Sequence, residues 1–102
     1  MNSNFASPIN DQMGLSLDLN QHLIKHPAAT FFMRAAGESM CAAGILDGDL
    51  LIVDRSLRPT KNSIVIAVIN GELMVKPLKT ITGQDFQVWG VVTYAIHDLC
   101  AS

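Results

Sequence analysis

The sequence has few charged residues and no cluster of basic ones. Only 16% of its 102 residues are charged, and seven Lys and Arg stand against nine Asp and Glu, for a formal net charge of -2. Binding to nucleic acid phosphates needs concentrated positive charge, so this composition argues against direct contact with nucleic acid. The low charge and the 49% of hydrophobic residues also exclude a disordered chain and predict one folded domain.

Long apolar runs and closely spaced cysteines are also missing. The longest apolar run, residues 64–69, is far shorter than the ~20 residues that a membrane-spanning helix needs. Residues 1–11 are polar and lack the basic and apolar segments of a secretory signal, so we expect a cytoplasmic protein without membrane contact. The two cysteines, Cys41 and Cys100, do not have the spacing of a zinc site, and we expect no metal ion or other cofactor.

The chain divides into a polar beginning and a more apolar remainder. Residues 1–16 contain Asn, Ser, Pro and Gly without a sustained period, which predicts a flexible N-terminal arm. Residues 17–102 form the expected domain. Near its start, Asp18 can cap a helix, Gln21 follows three positions later as in a capping box, and a proline comes soon after. These signals predict one short helix over residues 18–25.

The rest of the domain has the pattern of a mainly β protein. Asn70-Gly71 suits a type I′ turn and separates two apolar runs, which predicts a hairpin of residues 63–69 and 72–78. Further strands are expected at residues 30–36 and 50–53.

The last apolar segment, residues 86–97, contains a glycine in its interior. It predicts either a second hairpin or one long bent strand, with Gly90 at a bend or bulge. Most of the bulky aromatic residues are expected in the core, namely Phe31, Phe32, Phe86 and Trp89.

An unusual stretch lies between the first two predicted strands, where Gly37-Glu38-Ser39-Met40 precedes small helix-forming residues. Ser39 would stand at the start of a helical turn, where unpaired backbone N–H groups can stabilise a developing oxyanion. Ser39 is therefore a candidate nucleophile, and Gly37 and Met40 are candidates for the turn and its oxyanion site. A capping serine in an ordinary turn is the alternative interpretation.

A serine hydroxyl is a poor nucleophile until a base removes its proton. The three histidines, His22, His26 and His97, occupy helix-end or tail positions that suggest no convincing triad. Lys76 shares one face of its predicted strand with Met74; if it were buried, its neutral form would be favoured and could act as a base. The alternative is an edge lysine whose charged end reaches solvent.

Several motifs occur along the chain in a fixed order. They are Gly37-Glu38-Ser39-Met40, Asp47-Gly48-Asp49-Leu50-Leu51-Ile52-Val53-Asp54, Asn70-Gly71-Glu72 and Val75-Lys76. Together they resemble the UmuD branch of the LexA-like self-cleaving serine peptidases, and the likeness covers most of the chain from Phe5 onward. The resemblance implies a strongly twisted, mostly β catalytic domain with one or two short helices. It also implies a Ser-Lys dyad, with Ser39 as nucleophile and Lys76 as general base.

The resemblance further implies a role in the SOS response to DNA damage. In this family the RecA filament on single-stranded DNA promotes self-cleavage in the N-terminal arm, and the shortened homodimeric product joins a UmuC-like error-prone polymerase. We therefore expect an accessory subunit of a translesion polymerase in SOS mutagenesis. Two alternatives remain: a serine peptidase that cleaves a UmuD-like or repressor partner in trans, and a non-catalytic dimerisation module.

The sequence departs from the family pattern in three places. Only a few residues, with Ser3-Asn4 last, precede Phe5, where the family has a scissile Cys-Gly or Ala-Gly bond, so we expect the processed form. Between residues 78 and 86 the family has about one or two more strands, so we expect a shortened domain beside the strand of Lys76. Glu38 replaces the more usual aspartate, which we expect to matter little.

Overall fold

The computed structural model describes Ala6, residues 17–37 and residues 43–100. Within this part of the chain lie one short helix and five strands: α1 (Leu19–Leu23), β1 (Thr30–Arg34), β2 (Leu50–Asp54), β3 (Ile64–Ile69), β4 (Glu72–Pro77) and β5 (Gln87–Ile96). Single 3₁₀ turns lie at Pro27–Ala29 and Leu78–Thr80. The predicted mainly β domain with little helix is confirmed, whereas the arm predicted over residues 1–16 lies, except for Ala6, outside the described residues. No helix in the described ranges has the length and apolar character needed to cross a membrane.

All five strands form one antiparallel sheet with the order β1-β2-β5-β3-β4. Side chains that alternate along β3 belong to two core clusters: Ile66 packs with Leu51 and Val53, whereas Val65 and Ala67 pack in the other cluster. Because alternate residues of a strand point to opposite faces, the sheet has apolar contacts on both of its faces.

The capping signal at Asp18 is confirmed, although α1 is shorter than the predicted helix. The Asp18 carboxylate accepts hydrogen bonds from the backbone N–H groups of Asn20, at 3.0 Å, and Gln21, at 3.4 Å. These are N–H groups of the first turn that have no partner within the helix, so the carboxylate determines where α1 begins.

The hairpin predicted from Asn70-Gly71 is also confirmed. Asn70 and Gly71 both have positive φ angles, of 53° and 80°, as a type I′ turn requires. Ile69 pairs with Glu72 beside the turn, and the register continues to Val65 opposite Lys76. The two-residue turn therefore determines the register of the whole β3–β4 pair.

The segment predicted over residues 86–97 forms one long bent strand, and the alternative prediction of a second hairpin is wrong. The register of β5 shifts by a residue against β2 and again against β3, so β5 bends between its two neighbours. Gly90 lies at the second shift, and a Cβ atom there would stand 2.6 Å from Cγ1 of Val53. Glycine is needed at this position because β2 approaches too closely for a side chain.

The expectation that the aromatic residues lie in the core is wrong for the two in β1. Phe31 is 43% and Phe32 57% exposed, because β1 is an edge strand that, among the described residues, pairs with β2 alone. The Phe31 ring meets Trp89 edge to face, with ring centroids 5.3 Å apart, and the Arg55 guanidinium lies 4.3 Å from the centroid of the Trp89 ring. Trp89 and Phe86 are half-buried and pack against the two core clusters, as expected.

Candidate functional site

A cleft of about 220 Å³ lies between the chain that follows β1 and the strand β4. Ala35 and Ala36 line one side, and Val75 and Lys76 line the other. β1 and β4 are the two outermost strands in the order of the sheet, so they meet at one cleft only because the sheet curls strongly. This curvature agrees with the twisted sheet implied by the family resemblance.

Lys76 lies at the rim of this cleft and is half-buried. In the β3–β4 register Lys76 pairs with Val65 and Val75 pairs with Ile66, so their side chains start from opposite faces of β4. Val75 packs against the first core cluster, while Lys76 shares the other face with Met74. The lysine amine stands at the end of a long flexible side chain on an edge strand, from which it can reach around the strand to the cleft.

Ser39 and Met40 lie outside the described residues, and so does Cys41. The chain is described up to Gly37, which follows the two alanines of the cleft wall. From Ala36 to Ser39 is three residues, a distance of at most about 11 Å even in a fully extended chain. The predicted nucleophile follows the cleft wall by three positions in the sequence, and its pairing with Lys76 stays a prediction.

Asp47 and Asp49 hold the chain that leads toward Ser39. Asp47 accepts a hydrogen bond of 2.7 Å from the Gly37 N–H, and the carbonyl of Asp49 accepts one of 2.9 Å from the Ala35 N–H. Gly37 has a φ of 96°, a conformation that favours glycine. Its N–H is engaged by Asp47, and the turn and oxyanion roles of Gly37 stay predictions.

Asp49 is itself buried, with 1% of its surface exposed, and its carboxylate has two partners. One oxygen accepts from the Leu46 N–H at 2.9 Å, and the other lies 2.7 Å from Nδ1 of His97. The bond from Leu46 is the main cause that lowers the pKa of Asp49, the His97 contact adds to it, and burial opposes both. His97 thus ties the end of β5 to the turn that holds the cleft wall.

A second buried aspartate, Asp54 at the end of β2, has a similar histidine partner. Nδ1 of His26 lies 2.6 Å from Asp54 Oδ2, and Ser56 donates to Oδ1 from both its N–H and its hydroxyl. Burial acts to raise the pKa of Asp54, but the bonds from Ser56 and His26 outweigh it and the pKa is lowered. Sequence analysis did not find the histidine partners of Asp49 and Asp54.

Asp54→Asn is expected to lower the free energy of unfolding at neutral pH. It is also expected to make that free energy fall less steeply as the pH is lowered into the acid range. The pKa of Asp54 is lower in the folded chain than its ordinary value of 3.8, so the ionised carboxylate stabilises the fold above that value. This contribution is lost as the pH falls through the folded pKa. Urea unfolding at a series of pH values measures the effect, with the exposed Asp85→Asn as control. The prediction would be contradicted if the stability of Asp54→Asn fell as steeply in acid as that of the unmodified protein.

Comparison with known proteins decides which family this arrangement represents. Residues 2–89 match the family described as Peptidase S24-like, a range that includes Ser39, the cleft wall and Lys76. The chain belongs to this S24-like peptidase family. Membership supports a serine peptidase of the self-cleaving kind, and it confirms the resemblance to the LexA-like family that the motifs predicted.

Three relatives cover most of this S24-like chain. Protein ImpA of Salmonella typhimurium is 44% identical over 110 residues, which cover 91% of this chain and 76% of ImpA. Protein SamA of Salmonella typhimurium is 41% identical over 108 residues, with 91% and 77% covered, and protein MucA of Escherichia coli is 35% identical over 121 residues, with 98% and 83% covered. These UmuD-like relatives imply an accessory role in SOS mutagenesis for the S24-like chain.

The alignment with ImpA shows a difference in length between the two proteins. It spans 110 positions but contains only 91% of the 102 residues of this chain, about 93 residues. ImpA therefore has about 17 residues more than this chain within the aligned region.

Proposed function

We propose that the chain is a UmuD-like subunit that assists an error-prone polymerase in translesion synthesis during the SOS response. The observation that carries this proposal is the likeness to ImpA, 44% identical across 91% of the chain. In this proposal the protein is a cytoplasmic homodimer, and its main partner is a UmuC-like polymerase. The RecA filament on single-stranded DNA is the partner that stimulates self-cleavage in the family. The protein acts without a bound cofactor or metal ion and without touching nucleic acid itself.

The proposal includes a Ser39–Lys76 dyad inherited from the peptidase family. Lys76 lies at the rim of the cleft that Ala36 lines, and Ser39 follows Ala36 within about 11 Å of chain. In the proposed reaction the neutral Lys76 amine takes the proton of the Ser39 hydroxyl, and the serine oxygen attacks a peptide carbonyl carbon. Backbone N–H groups around Met40 would then stabilise the oxyanion.

Residues 78–86 are the proposed place where this chain is shorter than ImpA. After β4 the chain makes the 3₁₀ turn Leu78–Thr80 and passes directly to β5, which begins at Gln87. In the described part of the chain β4 pairs with β3 alone. An additional strand inserted here would lie in sequence directly after β4, where it could pair with its outer edge, and this supports placing the missing residues at this connection.

Binding to a UmuC-like polymerase tests the proposed role. Affinity-tagged protein, immobilised and mixed with the purified polymerase, is expected to retain it in a defined ratio, because the accessory role requires a stable complex. Processed MucA with its own polymerase serves as the positive control, and Ser39→Ala is expected to bind as the unmodified protein does, since the proposed nucleophile cuts peptides and has no part in this assembly. Failure to retain the polymerase under conditions where processed MucA binds would remove the accessory role.

The second candidate function is that of a peptidase that cuts a partner chain in trans. The cleft between β4 and the residues after β1 favours it, because this cleft opens at the protein surface beside Lys76. In that case the substrate is an extended segment of a UmuD-like or repressor protein that still has its N-terminal arm. If the protein neither binds the polymerase nor cleaves a partner chain, the remaining function is that of a non-catalytic dimerisation module.

A further inference from the structure

The contact between Asp49 and His97 extends the pairing of β2 with β5 by one residue. Leu50, the first residue of β2, pairs with Ile96, the last residue of β5. Asp49 and His97 are the next residues along these two antiparallel strands, and their side chains meet at 2.7 Å. An ionised carboxylate can only accept a hydrogen bond, so Nδ1 of His97 donates. The imidazole therefore fastens the end of β5 to the residue that precedes β2.

The turn that contains Asp49 is bonded directly to the cleft wall. Ala35 exchanges two backbone hydrogen bonds with this turn: its N–H donates to the carbonyl of Asp49 at 2.9 Å, and its carbonyl accepts from the Gly48 N–H at 2.8 Å. The side chain of Arg34 donates to the carbonyl of Gly48 at 2.9 Å. A displacement of Asp49 would therefore also displace Ala35.

We propose that His97 is a positioning residue of the candidate site, which fixes the place of the cleft wall by holding Asp49. The wall precedes Ser39 in the sequence, so the position of the wall would influence how the proposed nucleophile meets its substrate. For its effect on cleavage this inference rests on the proposed Ser39–Lys76 dyad. For its effect on the wall it rests on the hydrogen bonds alone.

Removal of the imidazole would leave one oxygen of a buried carboxylate without its partner. The other oxygen would keep the Leu46 N–H, at 2.9 Å. A buried carboxylate that loses a partner is costly in free energy, and the turn can recover part of this cost by rotating Asp49 toward water. Such a rotation would move the Asp49 carbonyl and the Gly48 N–H, which hold Ala35. Loss of His97 is therefore expected to loosen the cleft wall.

The other histidine–aspartate pair offers a comparison within the same molecule. Nδ1 of His26 lies 2.6 Å from the carboxylate of Asp54, which is 4% exposed, so the two pairs are alike in geometry and burial. Asp54 would keep two hydrogen bonds from Ser56 if the imidazole were removed. It also lies at the opposite end of β2, and within the described ranges its carboxylate bonds only to His26 and Ser56. Loss of the His26 side chain is therefore expected to leave the cleft wall in place.

Amide hydrogen exchange followed by NMR measures the cleft wall directly. The reporters are the N–H groups of Ala35 and Gly48, which join the wall to the turn, and the rates are taken relative to the Ile66 N–H in β3 to correct for global stability. In His97→Ala the two reporters are expected to exchange roughly tenfold faster than in the unmodified protein. In His26→Ala, the matched control, they are expected to stay within about twofold. Equal acceleration in the two variants would overturn the proposal.

His97→Asn and His97→Phe separate the hydrogen bond from the space that the ring fills. Asparagine has an N–H donor at the δ position, as the histidine has at Nδ1, whereas phenylalanine keeps a ring without a donor. We expect His97→Asn to return the two exchange rates to within about threefold of the unmodified protein, and His97→Phe to resemble His97→Ala. Equal rates in the Asn and Phe variants would show that the hydrogen bond does not hold the wall.

Cleavage in trans of a UmuD-type partner without its own nucleophilic serine measures the consequence for the reaction. His97→Ala is expected to lower kcat roughly ten- to a hundredfold and to change KM less, because a misplaced reacting group weakens the transition state more than it weakens binding. His26→Ala is expected to keep the unmodified kcat. An equal kcat in the two variants would overturn the positioning role. If the unmodified protein cuts no partner, the proposed dyad fails, and the exchange rates still decide whether His97 holds the wall.

Discussion

Ser39→Ala and Lys76→Ala are each expected to lower cleavage of a partner chain in trans by about a thousandfold or more. Ser39 provides the attacking oxygen and Lys76 the base that takes its proton, so neither can be replaced by a side chain without these groups. Because the two residues would act as a unit, the double variant is expected to be no slower than either single one.

The substrate for this measurement is a UmuD-type protein that keeps its N-terminal arm and has had its own nucleophilic serine replaced. It is incubated with the S24-like chain, and the shortened product is followed on a gel. Cleavage is expected to be faster at alkaline pH, because the base is a neutral amine. Lys79→Ala, an exposed lysine beyond the end of β4, is the matched control and is expected to cut at the unmodified rate.

The outcomes of this experiment separate the remaining functions. Loss of cleavage in both variants, with the control active, supports the peptidase in trans. Slow cleavage that Ser39→Ala and Lys76→Ala leave unchanged would reject the dyad and favour a non-catalytic module. A protein that binds the polymerase but cuts nothing would be an accessory subunit whose dyad has no remaining activity.

Gly90→Ala is expected to lower the free energy of unfolding by about 1–3 kcal/mol, as overpacking of a core ordinarily does. The new Cβ atom would stand 2.6 Å from Cγ1 of Val53 and 3.3 Å from Cγ of Arg55. Val53 is fully buried at the centre of the first core cluster, so it has little room to move. Such a loss is large against the ~5–15 kcal/mol by which small domains are stable.

A double-mutant cycle with Val53→Ala shows whether this contact is the cause. Val53→Ala alone removes buried methyl groups and is expected to destabilise the protein by about 2 kcal/mol or more. In the double variant the space left by Val53 accepts the new methyl group, so the loss is expected to be smaller than the sum of the two single losses. Urea unfolding measures all four proteins. Additive losses would show that another contact limits the size of residue 90.

Local patterns in the sequence predicted much of this fold, because neighbouring residues suffice to produce them. Asn70-Gly71 predicted its turn from the two positive φ angles that these residues accept, and Asp18 predicted the start of α1 from its carboxylate. The alternation of Lys76 and Val75 between two faces of β4 also followed from the strand period alone. Ser39, the other half of the predicted dyad, lies outside the described residues and stays a prediction.

Other features could not be predicted because they depend on the order of the strands. Phe31 and Phe32 look like core residues in sequence, but they are exposed because β1 is an edge strand. Gly90 looked like a bend, and only the close approach of Val53 shows why a larger residue does not fit.

The sequence by itself determined the family and the hairpin, since motifs and turns are properties of short stretches of chain. The tertiary structure decided which groups meet across long separations. Asp49 and His97 are 48 positions apart, and Asp54 and His26 are 28 apart, so no local pattern joins them. It also decided that β1 and β4 border one cleft, because strand order and sheet curvature arise from packing of the whole chain.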